Sequence, residues 1–464
     1  MSGLIEKIEV IITDPRLTQI ANIDLEALTK RNSDPLSPLQ KQFRTCCLGI
    51  VGAKDDPQNT EELPGHFPDF QVVLERHRQS IKLILLHTPS DAFPKGKITE
   101  GKRRQLGAAI RDMLFAQTHL KYEDRTTIIH QMLRDADALS PTYAIIDNTR
   151  IQLDRITCFG GHRVGQDEYF FSKNLGKELG LAYMEVITGG GPGIMRGIMR
   201  GNVKGLRMQD TDGKQIGMTC PEIITAEPPN SWLNRLIILP DIESRLEAFL
   251  RTQNGIIFLP GGIGTLEEFM TVLAVKTDAS NSEQELPLLL AGPRESMNWI
   301  VAVEEFMQTV FGKDVKDLYN TITGDPEAIT NWMREKMPAV HQARNLKNDD
   351  RLWNNSLHIP KALHIPFEPT HKNVSELHLE SGQSLSTLAL EIRNMLKAIV
   401  FAQVVEGGST YIQEHGKYIV TGERKILQAI DTLFKKFASD GRMFMGQTEP
   451  CYTLQSSEIN HPAR

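Results

Sequence analysis

Apolar and polar positions change their rhythm twice along this chain. Up to Asp147, short apolar runs such as Ile81-Lys-Leu-Ile-Leu-Leu86 adjoin a helix-like stretch over 103–117, the pattern of a small α+β domain. From Asn148 a unit of strand, glycine-rich turn and helix repeats, which predicts a parallel sheet with crossover helices. Arg155-Ile-Thr-Cys-Phe159 reads as a buried strand ending at Gly160-Gly161, with a helix over 169–179. The run 183–187 leads into Thr188-Gly-Gly-Gly-Pro-Gly193 and a helix from Ile194. A strand over 236–239 precedes Asp241, which suits the N-cap of a helix over 242–252. A fourth strand, 255–259, feeds Pro260-Gly-Gly-Ile-Gly-Thr265 and another helix, and 286–291 supplies a fifth strand. The polar stretch 338–350 breaks the rhythm. Beyond it come a helix over 385–404, an extended segment over 411–420 and a helix over 423–437. The expected architecture is a Rossmann-like doubly wound central domain, 148–337, flanked by smaller α+β domains at 1–147 and 338–464.

Composition narrows the function without naming it. The chain has 464 residues, enough for several cores, with 40% hydrophobic and 24% charged residues. A net charge of −6 gives no electrostatic footprint for nucleic acid, so small molecules and other subunits are the expected partners. Five cysteines, with Cys46 and Cys47 adjacent, offer no disulfide framework and fit a reducing cytoplasm. The start, Met1-Ser-Gly-Leu-Ile-Glu-Lys-Ile-Glu, places charges where a signal peptide needs an apolar core. No run approaches the roughly 18 apolar residues of a membrane span. His358, His364 and His371 fit no standard zinc spacing, so no metal is expected.

Two glycine-rich turns sit between a strand and a helix, where a doubly wound sheet binds ligands: Gly189, Gly190, Gly191 and Gly193 in one, Gly261, Gly262 and Gly264 in the other. Glycine admits an anion close to backbone N–H groups, and a helix N-terminus adds unpaired donors and partial positive charge. One such turn has the plainer reading of a change of direction. The pair suggests a single phosphate held between two helix N-termini, with Thr265 as a hydroxyl donor and Met195 in the first turn of the preceding helix. The third glycine of a dinucleotide fingerprint and the lysine of a P-loop are both missing, which points to a monophosphate rather than a dinucleotide or triphosphate and calls for no cofactor. Glu267 and Glu268 fall in the first turn of the second helix. Arg245 lies on the helix whose chain returns through the strand before that turn, so Arg245 and Glu268 are placed to converge. In the plainer reading, Arg245 pairs with Asp241, Glu243 or Glu247.

Pro260-Gly-Gly-Ile-Gly-Thr-Leu-Glu-Glu268 matches the P-G-G-x-G-T-x-x-E signature of the Lonely Guy family of nucleotide phosphoribohydrolases, which the chain also resembles at Gly160-Gly161, at the G-G-G-x-G turn and at Arg245. The resemblance covers about 150–330, and with the flanking domains it is to the larger bacterial members. It implies hydrolysis of the N-glycosidic bond of purine and pyrimidine nucleoside 5′-monophosphates, of the AMP, GMP, IMP, CMP, UMP and dTMP type, to free base and ribose 5-phosphate. Arg245 and Glu268 would be catalytic, with Gly160, Gly161, Glu267 and the turn residues binding substrate. It further implies a homo-oligomer, with a tetramer expected, and a guanosine tetraphosphate-type effector, for which Arg344, Lys347 and Arg351 are candidate contacts. Base selection falls near Glu227, Asn230 and Asn234. Leu246 stands where smaller plant-type members carry lysine, so that lysine's role does not transfer. Family members have carried the label lysine decarboxylase, but no pyridoxal-phosphate lysine is identifiable. A non-catalytic carrier of phosphorylated ligands remains the alternative, since fold alone does not separate it from a hydrolase.

Overall fold

The computed structural model describes residues 4–18, 22–29, 36–53, 67–120, 124–404, 407–443 and 450–457; the first three residues of the N-terminal segment discussed above lie outside this set. Two compact units form: one of Met1–Thr142, Ile187–Pro192 and Asp212–Phe249, the other of Tyr143–Val186, Gly193–Thr211 and Leu250–Arg464.

The first unit carries an antiparallel sheet in the order β1-β3-β2, from β1 (Leu4–Ile12), β2 (Gln71–His77) and β3 (Ser80–Pro89). Its helices start on side-chain caps. Ser37 and Gln40 form a reciprocal capping box at Pro38–Gly52, Thr99 caps Glu100–His119, and Asp124 caps Arg125–Asp135. The expected helix over 103–117 is the body of Glu100–His119, and the apolar run 81–86 is the middle of β3.

A short hairpin, β4 (Tyr143–Ile146) with β5 (Thr149–Gln152), leads into the main sheet. Its seven strands are β6 (Asp154–Phe159), β7 (Met184–Thr188), β8 (Gln215–Thr219), β9 (Arg235–Ile238), β10 (Gly255–Phe258), β11 (Leu288–Gly292) and β12 (Asn320–Thr323), in the order β12-β11-β10-β6-β7-β8-β9. Adjacent strands run parallel. From β6 the chain moves outward to β9 and then returns to the other side of β6 with β10, so the topological switch point lies between β6 and β10. In an open α/β sheet that is where ligands bind.

Five of these strands match the sequence pattern, and two do not. β8 is fully buried yet carries Gly217 at its centre, where a Cβ would stand 2.6 Å from a methyl of Leu233. β12 is a polar edge strand, Asn-Thr-Ile-Thr. Neither announces itself as an apolar run.

In the second unit the helices Gln166–Leu181 and Ile194–Met208 pack backbone against backbone. A Cβ at Gly176 would lie 2.0 Å from the Ile198 carbonyl oxygen, and one at Gly201 would lie 1.8 Å from that of Lys173. Glycines 197, 201 and 205 recur every fourth residue and so fall on one face. Beneath them Arg155 and Glu185 form a fully buried ion pair, Nε to Oε2 2.8 Å.

The extended segment expected over 411–420 is instead a helix, Gly408–His415, followed by β13 (Tyr418–Gly422), which pairs in parallel with β14 (Tyr452–Ser456). Gly407 and Gly416, at φ +88° and +84°, bracket that helix in a left-handed conformation that favours glycine. The helices expected over 385–404 and 423–437 are Leu385–Val404 and Arg424–Ser439.

Candidate active site

In the second unit the turns after β6 and β10 and the start of the helix after β7 are laced together by backbone hydrogen bonds. Leu259 N donates to Phe159 O at 2.9 Å, Gly161 N to Pro260 O at 3.0 Å, and Ile194 N to Gly161 O at 3.1 Å. Side chains have no room here. A Cβ on Gly161 would be 3.1 Å from the Gly261 Cα, and one on Gly160 would be 2.7 Å from a methyl of Ile194. Gly193 has φ +62°, and its Cβ would meet the carbonyl oxygens of Gly161 and His162, each at 2.5 Å. These glycines are therefore required by close approach of main chain or, at Gly160, of the Ile194 side chain.

Two helices begin on this lacework without a side-chain cap: Ile194–Met208 at Gly193 and Ile263–Lys276 at Gly262. Their first turns carry N–H groups with no intrahelical acceptor, and their dipoles favour an anion. Thr265 belongs to the same construction, since a Cβ on Gly261 would lie 2.1 Å from its Oγ1. The Trp299 indole N–H donates to Gly261 O at 2.9 Å and fixes the turn from behind. Gly264 is exposed and Glu268 is partly exposed.

Glu267 and Met195 fare differently from their neighbours. Glu267 is buried and forms an ion pair with Arg393 of the helix Leu385–Val404, Nη2 to Oε1 3.3 Å. Met195 is 3% exposed and packs inside. The pairing of Glu267 with Arg393 had no signal in the sequence, because Arg393 lies in a region without a motif.

The first unit holds the remaining glycines of the G-G-G-P-G turn. Gly190 has φ +82°, and its missing Cβ faces Leu233 at 3.1 Å and Gly217 Cα at 3.2 Å. Asn230 organises this turn: its Nδ2 donates to Gly190 O at 2.7 Å and to Gly191 O at 2.9 Å, and its own carbonyl accepts from Gln105 Nε2 at 3.0 Å. Asn234 donates to Gly213 O and accepts from Gln215 N, each at 2.9 Å. Both asparagines, expected near the base, thus brace the main chain.

Arg245 is 6% exposed on the helix Ile242–Thr252. Its Nε donates to Met218 O at 2.9 Å, and its guanidinium lies 5.1 Å from the Phe249 ring centroid. Asp241 caps the helix by accepting from Ser244 N at 2.8 Å, as expected, and it is engaged by Arg125 at 2.6 Å. Glu247 accepts the Thr126 hydroxyl at 2.6 Å.

The basic residues considered for an effector are also occupied. Arg344 is 2% exposed and donates to Gln253 O at 2.9 Å, and burial pulls its pKa down to about 10. Arg351 joins Asp154 and His341, and Lys347 pairs with Glu283. Among the described residues, no helix is long and apolar enough to cross a membrane.

The structure thus defines a doubly wound α/β protein whose switch point is built from glycine turns and uncapped helix starts. Family models match three stretches, described as pyrimidine/purine nucleotide 5′-monophosphate nucleosidases over 10–120, possible lysine decarboxylase over 196–323, and pyrimidine/purine nucleotide monophosphate nucleosidase, C-terminal, over 337–455. Pyrimidine/purine nucleotide 5′-monophosphate nucleosidases of Escherichia coli strains K12, O6:H1 and O157:H7 are each 33% identical over 453 residues, 94% of this chain and 97% of theirs. A molybdenum cofactor carrier protein from Chlamydomonas reinhardtii aligns with 40% of this chain and 99% of its own at 17% identity, TM-score 0.30. The chain belongs to the pyrimidine/purine nucleotide 5′-monophosphate nucleosidase family.

Proposed function

We propose that this chain hydrolyses the N-glycosidic bond of purine and pyrimidine nucleoside 5′-monophosphates, releasing free base and ribose 5-phosphate. The observation that carries the reading is the laced switch point, where two helices start on glycines without a side-chain cap, in a chain whose relatives over nearly their whole length bear the nucleosidase name. The phosphate sits on the turns around Gly161, Gly193 and Gly261–Thr265. Its binding energy orients the sugar.

As the C1′–N bond breaks, positive charge develops on the ribosyl ring, as in glycoside hydrolysis. Glu268, the more exposed member of the glutamate pair, stabilises that charge and orients the attacking water. The water oxygen bonds to C1′, one of its protons leaves, and the departing ring nitrogen of the base is protonated. Arg245 engages the nucleotide or the departing base. A preorganised charge of this kind commonly contributes about 3 kcal/mol to transition-state stabilisation. Reliance on phosphate and ribose lets both base classes enter.

We also propose three domains with boundaries near 147 and 337, a cytoplasmic homo-oligomer, with a tetramer the favoured state, and control by a guanosine tetraphosphate-type nucleotide. For that effector the supporting feature is a cavity of about 360 Å³ in the first unit, lined by Arg16, Arg103, Arg104, Arg111 and Arg235. Arg16, Arg103 and Arg235 pair with Asp14, Glu100 and Asp137, while no acid among the described residues pairs with Arg104. Calorimetry on the full chain is expected to show guanosine tetraphosphate binding that Arg104→Ala weakens; unaltered binding would remove the cavity from consideration.

The main test is chromatography after incubation with AMP and with UMP. Free base and ribose 5-phosphate from both are expected. Binding of either nucleotide with neither product would favour a carrier over a hydrolase.

A further inference from the structure

Arg442 lies 274 residues from Glu168 in the chain, yet the two form a buried pair beside the candidate phosphate turn. The Arg442 guanidinium engages both carboxylate oxygens, Nη2 at Oε1 and Nη1 3.5 Å from Oε2. The side chains are only 12% and 7% exposed. Glu168 is a hub for the second unit's loops: its Oε1 accepts the Ser296 hydroxyl at 2.6 Å, and its Oε2 accepts Gly165 N at 3.3 Å. Gly165 closes the turn that begins at Gly160-Gly161, and Ser296 follows β11. On the other side, the missing Cβ of Gly262 would stand 2.2 Å from the Arg442 carbonyl oxygen, so residue 442 rests directly on the second glycine of the P-G-G-x-G turn. Arg442 N in turn donates to Phe437 O at 2.8 Å, tying it to the end of the helix Arg424–Ser439.

We infer that Arg442 is a positioning residue for the phosphate turn: its main chain seats Gly262, and its guanidinium anchors that seat to Glu168 and neutralises a buried carboxylate next to an anion site. This rests on the reading that Gly261–Thr265 holds the substrate phosphate. Arg442 itself does not touch substrate, because its guanidinium is spent on Glu168. Two effects follow from its loss. The turn loses its outer support, and an uncompensated negative charge is left where a phosphate must bind. Both weaken ground-state binding of anything that carries the phosphate, whether nucleotide or ribose 5-phosphate.

The test compares KM for AMP, kcat, and the inhibition constant of ribose 5-phosphate, with melting temperature followed separately. Arg442→Ala is expected to raise KM and the inhibition constant together by about tenfold or more, with kcat held within roughly threefold, since small misplacements at a positioning contact are felt strongly. Arg442→Lys, which keeps the charge, should recover most of that loss. Should Arg442→Ala fail to fold, Ser296→Ala loosens Glu168 with both charges in place, and should move the same two constants in the same direction by a smaller factor. A folded Arg442→Ala with unchanged KM and inhibition constant overturns the inference, as does Ser296→Ala unchanged in both where Arg442→Ala is unfolded. Absence of base release by the unaltered chain would instead refute the hydrolase reading. The inference would then be judged on the calorimetric Kd of ribose 5-phosphate, with a shift of about tenfold between the unaltered chain and Arg442→Ala supporting it and an equal Kd refuting it.

Discussion

Two adjacent glutamates on one helix offer a sharp contrast between structure and chemistry. Glu267→Ala removes one partner of an ion pair whose side chains are 6% and 0% exposed and whose charged atoms are 3.3 Å apart. The buried Arg393 guanidinium would lose the Glu267 carboxylate. Breaking such a pair from one side costs about 3–5 kcal/mol, because the orphaned charge keeps its desolvation penalty. At roughly 2 °C per kcal/mol for a domain of about 200 residues, the melting temperature should fall by about 6–10 °C. The double variant Glu267→Leu/Arg393→Met removes both charges and should regain part of that loss, because neither charge of the pair then keeps its desolvation penalty. In each case kcat measured well below the transition stays close to the original. Glu268→Ala should do the reverse: it leaves the melting temperature nearly unchanged and lowers kcat by about 10²- to 10³-fold. Differential scanning fluorimetry and base release by chromatography read the two quantities independently. If Glu267→Ala melts normally while losing as much kcat as Glu268→Ala, the division of labour drawn from burial is wrong.

Gly193→Ala forces a Cβ to within 2.5 Å of two carbonyl oxygens at φ +62°; beyond about 1–3 kcal/mol of backbone strain, it should shift the helix start at Ile194 and raise KM for AMP, and an unaffected KM would argue against that turn as a phosphate contact. Asn230→Ala strips the Nδ2 bonds from the Gly190 and Gly191 carbonyls. It should lower stability by about 1–3 kcal/mol as well as raise KM, both seen by denaturant titration and kinetics. Cys46, Cys47, Cys158 and Cys220 are fully buried, and burial pushes their thiol pKa values up. None should react with Ellman's reagent at pH 8 until the chain unfolds, while Cys451, pushed up to about 11, should react slowly; rapid labelling of any of the four in the native protein would contradict their placement.

Glycine turns are legible in a sequence because what they require is an absence. Gly160, Gly161, Gly193 and Gly261 stand where any Cβ would strike main chain or a fixed side chain, and the strand-turn-helix rhythm around them sets their place on the sheet. Residue identity and local rhythm say much less about what a long side chain reaches. Glu267 and Glu268 look interchangeable as letters, although neighbours on a helix point in different directions: Glu267 is buried and pairs with Arg393, while Glu268 is partly exposed. Base selection is expected near Asn230 and Asn234, and the structure shows their amides donating to carbonyls of neighbouring loops. The segment 411–420 shows a further limit. Its residues tolerate strand or helix, and the choice is made by glycines at 407 and 416, at either end of the helix.

The two ion pairs beside the proposed phosphate turn share a design. In each, the acid comes from the doubly wound region, Glu168 or Glu267, and the arginine comes from the stretch matched by the C-terminal family model, Arg442 or Arg393. An anion site flanked by two unneutralised carboxylates would repel its own substrate, and each acid, buried alone, would also be costly. The C-terminal stretch therefore supplies electrostatic conditions that the central sheet does not provide for itself. This gives a physical reason for a region without any catalytic motif to accompany the glycine turns in one chain: on the proposed reading the turns bind phosphate through main chain and helix dipoles, and such weak, directional forces work best where nearby negative charge has been cancelled.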